Sequence, residues 1–455
     1  MKRICCKGVW LSLVGLMVMA FASSTVMASG FQITEKGTKG LGNAWAGGAA
    51  VAEDASTVYW NPAGMTRLDG NHAELALHLI RPSFKWNDDG STTVLGQPLT
   101  GNDGGDAGGP NFVPNFFYTH AFGDKWRAGI GIVSPFGLET DYDEEWKGRY
   151  YTTKSSIVTV DINPSVAYRV NRYFSVGGGV SAQYLSAELK NAVDYGTIDA
   201  VRFGGAFGLT PQQDDGEAKV EADDWAWGYN LGVLFELNEN TRFGLTYRSK
   251  VKYDDDNGDA SFSTPAAAQP LAIAMGAYDT STSAKIEFPA SASLSAYHKL
   301  SEKWAIMGTV TWTQWSCLDE LRIKFDSVTA TGDPAADSVV TLDWNDSFFY
   351  AIGATWYYSD QWTFRGGVAY DQTPVPNKKK RTPRVPDDDR YWISGGASYE
   401  FLDHWGIDFA GTYIFTAGNP EIDKTAAGED TFRGNLVGDY DAYSYLLSLQ
   451  VNYKF

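Results

Sequence analysis

Apolar and polar residues alternate along most of this chain with the two-residue period of a β-strand. The carboxy-terminal stretch shows it plainly: Leu447, Leu449, Val451, Tyr453 and Phe455 alternate with Ser448, Gln450, Asn452 and Lys454. A longer internal stretch sets Val158, Val160, Ile162, Pro164, Val166, Tyr168 and Val170 against Thr159, Asp161, Asn163, Ser165, Ala167 and Arg169. Leu75, Leu77 and Leu79 stand in the same way against Glu74, Ala76 and His78. Strands with one apolar and one polar face suit a barrel in lipid, apolar side out, although the alternation alone also fits a β-sandwich. Pro164 has no N–H for a neighbouring strand, so a local irregularity is expected there.

The breaks between these stretches come in two kinds. Six are short and polar and run into an aromatic residue: Gly123-Asp124-Lys125-Trp126, Asn171-Arg172-Tyr173, Asn238 through Phe243, Ser301-Glu302-Lys303-Trp304, Ser359-Asp360-Gln361-Trp362 and Asp403-His404-Trp405. Their aromatics fit the girdle that membrane barrels place at the lipid–water boundary. Seven longer polar stretches, near residues 87–110, 141–153, 191–221, 253–283, 319–340, 372–388 and 417–440, lie between them. Thirteen connections imply about fourteen strands with both ends on one side. The expected fold is all-β: a transmembrane antiparallel barrel. Its last strand, ending on Phe455, resembles the closing strand that the barrel assembly machinery reads in bacterial outer-membrane proteins.

Residues 29–70 break the pattern. Small residues crowd into Gly37 through Ala50, and Trp60-Asn61-Pro62-Ala63-Gly64-Met65 follows. Such chain is compact and turn-rich, and Trp45, Tyr59 and Trp60 set it apart from a flexible linker. A barrel of this strand number leaves a wide lumen, so this segment is expected to plug it, with 71–455 forming the barrel. Before it, Lys2, Arg3 and Lys7 precede an apolar run from Val9 to Phe21 and a small-residue site ending at Ala28, which reads as a signal peptide over 1–28. Cys5 and Cys6 fall within that peptide, leaving Cys317 without a partner. The formal net charge of −18 argues against nucleic acid as a partner.

Several stretches together resemble the FadL family of outer-membrane long-chain fatty acid transporters: Gly30-Phe31-Gln32, Ala52-Glu53-Asp54-Ala55, the plug motif Asn61-Pro62-Ala63, and Pro386-Asp387-Asp388-Asp389-Arg390-Tyr391-Trp392-Ile393-Ser394. The resemblance spans the mature chain. It implies a fourteen-stranded barrel with an amino-terminal hatch and transport of long-chain fatty acids or similar hydrophobic molecules across the bacterial outer membrane; the sequence shows no cofactor or energy-coupling motif, so passive entry with rearrangement of the hatch and no cofactor is expected. Relatives that carry aromatic hydrocarbons make a hydrocarbon channel the alternative.

A fatty acyl chain gains about 0.8 kcal/mol for each methylene it buries, so its route must be a series of apolar sites. Two long loops offer them in Phe203 and Phe207, and in Leu271, Ile273 and Met275; similar loops in the family form an external capture groove. Ser134-Pro135-Phe136-Gly137 interrupts the third strand: Pro135 removes a ladder donor and Gly137 tolerates a bulge, so the wall is expected to kink inward there. The break resembles the kinked third strand through which the family's substrates leave sideways into the outer-membrane lipid. The resemblance further places Phe31 among the substrate contacts and Arg322 and Lys190 at the carboxylate head group, with Asn191 beside Lys190 making register decisive. An outer-membrane enzyme is the reading from a different class. The histidines His72, His78, His120, His298 and His404 show neither metal spacing nor a nucleophile's partner, so no enzyme is expected.

Overall fold

A computed structural model describes residues 29–401 and 404–455; the expected signal peptide and Asp403 of the sixth short break lie outside the described residues. Among these, fourteen antiparallel strands close into one barrel. They are β1 (His72–Asp88), β2 (Asn111–Phe122), β3 (Trp126–Val133 and Gly137–Asp141), β4 (Lys154–Arg169), β5 (Phe174–Asp194), β6 (Asp215–Glu236) and β7 (Thr241–Arg248 and Val251–Ser263). The circuit continues with β8 (Thr280–Phe288 and Ser291–Ser301), β9 (Trp304–Thr313 and Glu320–Phe325), β10 (Ser338–Thr341 and Ser347–Tyr357), β11 (Trp362–Asp371), β12 (Arg390–Phe401), β13 (Trp405–Thr416 and Glu421–Asp423) and β14 (Val437–Lys454). Pairing of β1 with β14, from His72 opposite Lys454 to Asp88 opposite Gly438, closes the circle.

The two-residue period has the expected sense. Leu75, Leu77, Leu447 and Leu449 face outward, whereas Glu74, His78, Ser448 and Gln450 are buried in the interior. The aromatics after the six short turns, Trp126, Tyr173, Phe243, Trp304, Trp362 and Trp405, are all exposed at one end of the barrel. At the other end the connections are long. One is shorter than its polarity suggests, because β5 runs on to Asp194 and β6 starts at Asp215. The outer parts of these two strands carry ion pairs such as Lys190–Glu217 at 3.0 Å in place of an apolar face.

Residues 29–68 lie inside this wall, almost wholly buried, as two short helices and a 3₁₀ turn: α1 (Thr38–Gly42), α2 (Thr57–Trp60) and Pro62–Arg67. Wall glycines make the space. A Cβ on Gly244 of β7 would sit 1.8 Å from the Ala49 carbonyl oxygen, and one on Gly367 of β11 only 2.1 Å from that of Asn43. Polar contacts fix the segment. Arg242 of β7 donates to the carbonyls of Ala50 and Val51, each at 2.6 Å, and Arg365 of β11 pairs with Glu53 at 3.1 Å. Asn61 donates to Ala49 O (2.7 Å) and Val233 O (3.1 Å) and caps the following turn by accepting from Ala63 N at 3.1 Å. Pro62 and Ala63 press against Gly177, where a Cβ would meet the Ala63 nitrogen at 2.5 Å.

Candidate functional site

β3 is broken at Ser134–Phe136. Val133 stands opposite Asp161 of β4 and Gly137 opposite Val158, so β3 spends four residue steps where β4 spends three. The surplus residue makes a bulge. Thr159 of β4 holds it: Ser134 Oγ donates to Thr159 O at 2.6 Å, and Phe136 N donates to Thr159 Oγ1 at 2.9 Å. The far side of the strand is left without a partner. Pairing of β2 with β3 ends at Phe116 opposite Ile132. Beyond it, Asn111–Asn115 of β2 pair with β1 only and Gly137–Asp141 of β3 with β4 only. Between those two edges the ladder of the wall is interrupted.

The amino-terminal segment occupies the inner side of this break. Ile33 N donates to Pro135 O and Gly137 N donates to Phe31 O, both at 2.9 Å. This seats Phe31, 3% exposed, amid four rings. Its centroid is 4.9 Å from Trp315, 5.3 Å from Phe288, 5.9 Å from Trp344 and 6.0 Å from Phe136. Leu138, Leu185, Leu342 and Val385 complete an apolar chamber against the broken strand. A buried clamp fixes the residues just before Phe31. Ser29 N donates to Asp371 (2.9 Å) and Gly30 N to Asp387 (3.0 Å), while Arg390 pairs with both acids at 3.1 and 3.2 Å. Burial pushes the Asp387 carboxyl above its ordinary range, against the pull of Arg390.

The loops after β5 and β7 come together through α3 (Tyr195–Arg202) and α4 (Gln269–Met275). Leu271 is buried between them, Phe203 and Phe207 meet edge-to-face with centroids 5.5 Å apart, and Met275 packs against the same cluster. Ile273 points away and is 58% exposed.

The two expected head-group cations do not face the lumen. In β5 the odd-numbered Ser181, Gln183 and Leu185 point inward. Lys190 therefore points out, to Glu217 at 3.0 Å. Arg322 lies on the side of β9 opposite buried Ile323, between Glu320 (2.6 Å) and Asp337 (2.9 Å). Strand parity overrides the expectation in both cases. What faces inward instead is Asn191, whose Oδ1 accepts from Arg384 at 3.3 Å. Sequence reasoning quoted the Asp387–Arg390 stretch without seeing the clamp. It named Thr159 only as a polar strand position and missed Asp371 and Arg384 altogether, because neither carries a local motif and their partners are far off in sequence.

A closed barrel with an enclosed amino-terminal segment and a break in its wall defines a channel-type outer-membrane protein. Comparison with known proteins gives the same class. Residues 19–455 match the family model described as outer membrane protein transport protein (OMPP1/FadL/TodX). The chain is 31% identical over 421 residues to the long-chain fatty acid transport protein of Escherichia coli O6:H1, covering 87% of this chain and 89% of that protein. It is 30% identical to outer membrane protein P1 of Haemophilus influenzae, covering 96% and 97%. Among solved structures, a Pseudomonas aeruginosa FadL homologue superposes with a TM-score of 0.85 at 28% identity, covering 94% and 100%. The toluene transporter TodX of Pseudomonas putida shares the fold, with a TM-score of 0.67 at 17% identity over 94% and 100%. The chain belongs to the OMPP1/FadL/TodX family and is a protein of the bacterial outer membrane.

Proposed function

We propose that this barrel is a passive channel, not an enzyme, that carries long-chain fatty acids from the outside of the cell and releases them sideways through the break beside β3. The observation that carries the proposal is the unpaired stretch between β2 and β3, which lies directly beside the apolar chamber around Phe31. A sealed barrel lined by buried polar side chains such as Asp161, Asn163 and Gln450 would hold water and repel an acyl chain. A gap next to an aromatic chamber gives the chain an apolar path to lipid at about 0.8 kcal/mol for each methylene kept out of water.

The other elements fall into order around that exit. The apolar cluster of α3 and α4, with exposed Ile273 at its edge, is the capture surface. Residues 29–70 act as the hatch. Charged and amide side chains hold much of it through hydrogen bonds that water can replace, so it can rearrange without unfolding the wall. Phe31 fills the chamber until the acyl chain displaces it.

Uptake of labelled oleate by cells lacking their own hydrophobic channel tests the proposal, with toluene as competitor. Deleting Pro135 removes the surplus residue and lets β3 run on in register; Gly137→Val crowds the same bend. Oleate entry that needs the protein and fails in both variants is the expected result. Absence of oleate uptake by the inserted wild-type barrel would sink the assignment, and toluene entry in its place would make this a hydrocarbon channel.

A further inference from the structure

The loop between β11 and β12 folds into the barrel mouth and buries Arg384, which is 9% exposed. Its guanidinium donates only to neutral acceptors. Nη1 reaches Ser155 Oγ at 2.9 Å, Thr152 Oγ1 at 3.1 Å and Lys154 O at 3.4 Å, and Nη2 reaches Asn191 Oδ1 at 3.3 Å. The neighbouring charge is another cation, Arg433, which has its own acid, Asp430, at 2.9 Å. Burial, helped by Arg433, lowers the Arg384 pKa to about 9, which still leaves it charged at neutral pH.

Other interior arginines are accounted for. Arg248, Arg365 and Arg390 meet Asp161, Glu53 and Asp371. Arg242 and Arg127, which have no carboxylate, spend their donors on backbone carbonyls of the amino-terminal segment and the first short turn. Arg384 differs in position as well. Val385, next in sequence, belongs to the apolar cluster that contains Phe31, Leu138 and Leu185. The Arg384 carbonyl accepts from Thr140 Oγ1 at 3.4 Å, on the part of β3 beyond the break. A buried charge without a counter-charge is costly, and this one stands at the end of the chamber that would receive an acyl chain.

We propose that Arg384, with Thr152, Ser155 and Asn191, is the head-group site of the channel, taking the carboxylate of a long-chain fatty acid while the hydrocarbon lies along the Phe31 chamber. The inference rests on the fatty acid reading above. The hydroxyls suit the exchange: Thr152 and Ser155 accept from the guanidinium and can each rotate to donate to a carboxylate oxygen. Charge-assisted hydrogen bonds between Arg384 and the carboxylate supply what the apolar walls cannot, discrimination between an acid and a neutral chain of equal length.

The experiment compares oleate with oleyl alcohol for displacement of a fluorescent fatty acid from the purified full-length barrel, in wild type, Arg384→Gln and Arg384→Lys. Heat-modifiable migration on gels reports folding of each variant. Wild type should prefer oleate. Arg384→Gln should weaken oleate binding by roughly tenfold to a hundredfold and leave oleyl alcohol within about twofold, and Arg384→Lys should keep part of the preference. Equal weakening of both ligands would overturn the inference and make Arg384 a strap that only ties the loop to β4 and β5. An unchanged preference in folded Arg384→Gln would overturn it too. A wild type that binds neither ligand would remove the fatty acid reading itself, and the head-group site with it.

Discussion

Adjacent strands β3 and β4 each contain an interior proline, and the wall treats them differently. At Pro164 the pairing of β4 with β5 skips two positions and resumes without a shift, Ile162 opposite Ala182 and Ser165 opposite Gly179. The missing donor is made good locally, since Asn163 Nδ2 donates to Val180 O at 3.0 Å. At Pro135 a surplus residue sits beside the proline, pairing with β2 stops at Ile132, and the neighbouring backbone groups turn to the amino-terminal segment. A proline alone therefore does not open a barrel wall. A proline with one residue too many, and an internal segment ready to take the freed hydrogen bonds, does.

The largest expected effect comes from making β3 resemble β4. Deleting Pro135 should cut oleate uptake by roughly tenfold or more by removing the bulge, with heat-modifiable migration showing a folded barrel. Emptying the chamber comes next. Phe31→Ala should cost about 3–5 kcal/mol of packing around the segment, read as a lower melting temperature and faster proteolysis near residue 31. Asp371→Asn weakens the clamp by leaving the buried Arg390 with only Asp387, at a cost of about 3 kcal/mol; faster hydrogen exchange at Ser29–Ile33 is the measurement. At the bottom of the scale, Pro164→Val should change stability by less than about 1 kcal/mol and leave uptake unchanged. A large loss of uptake there would erase the distinction between the two prolines.

Much of this fold was legible in the chain because a barrel in lipid repeats one rule. Outward Leu75, Leu77, Leu447 and Leu449 and inward Glu74, His78, Ser448 and Gln450 are set by parity alone, and the six aromatic turns mark where strands reverse. The interruption at Pro135 was legible for the same reason, as a departure from the rule. The loop length was overestimated between β5 and β6 because the outer parts of these strands carry charged pairs in place of an apolar face and so look like a loop. The head-group cations failed on a finer point. Lys190 and Asn191 are adjacent in sequence yet face opposite sides of β5, so a one-residue change of register exchanges a surface lysine for a lumen amide. Arg384 left no signal, since its meaning depends on Thr152, Ser155 and Asn191 lying beside it in space with no acid among them.

Lateral release is tested most directly by following the acyl chain itself. A fatty acid carrying a photoreactive group at its chain terminus would be irradiated during transport through the wild-type barrel, and the adducts mapped by mass spectrometry. Adducts on the two unpaired edges, residues 111–115 of β2 and 137–141 of β3, and their loss when Pro135 is deleted, are the predicted result. Adducts confined to the hatch around Asn61–Thr66 and the short-turn end of the lumen, unchanged by the deletion, would show that the chain passes straight down the barrel and would contradict the account.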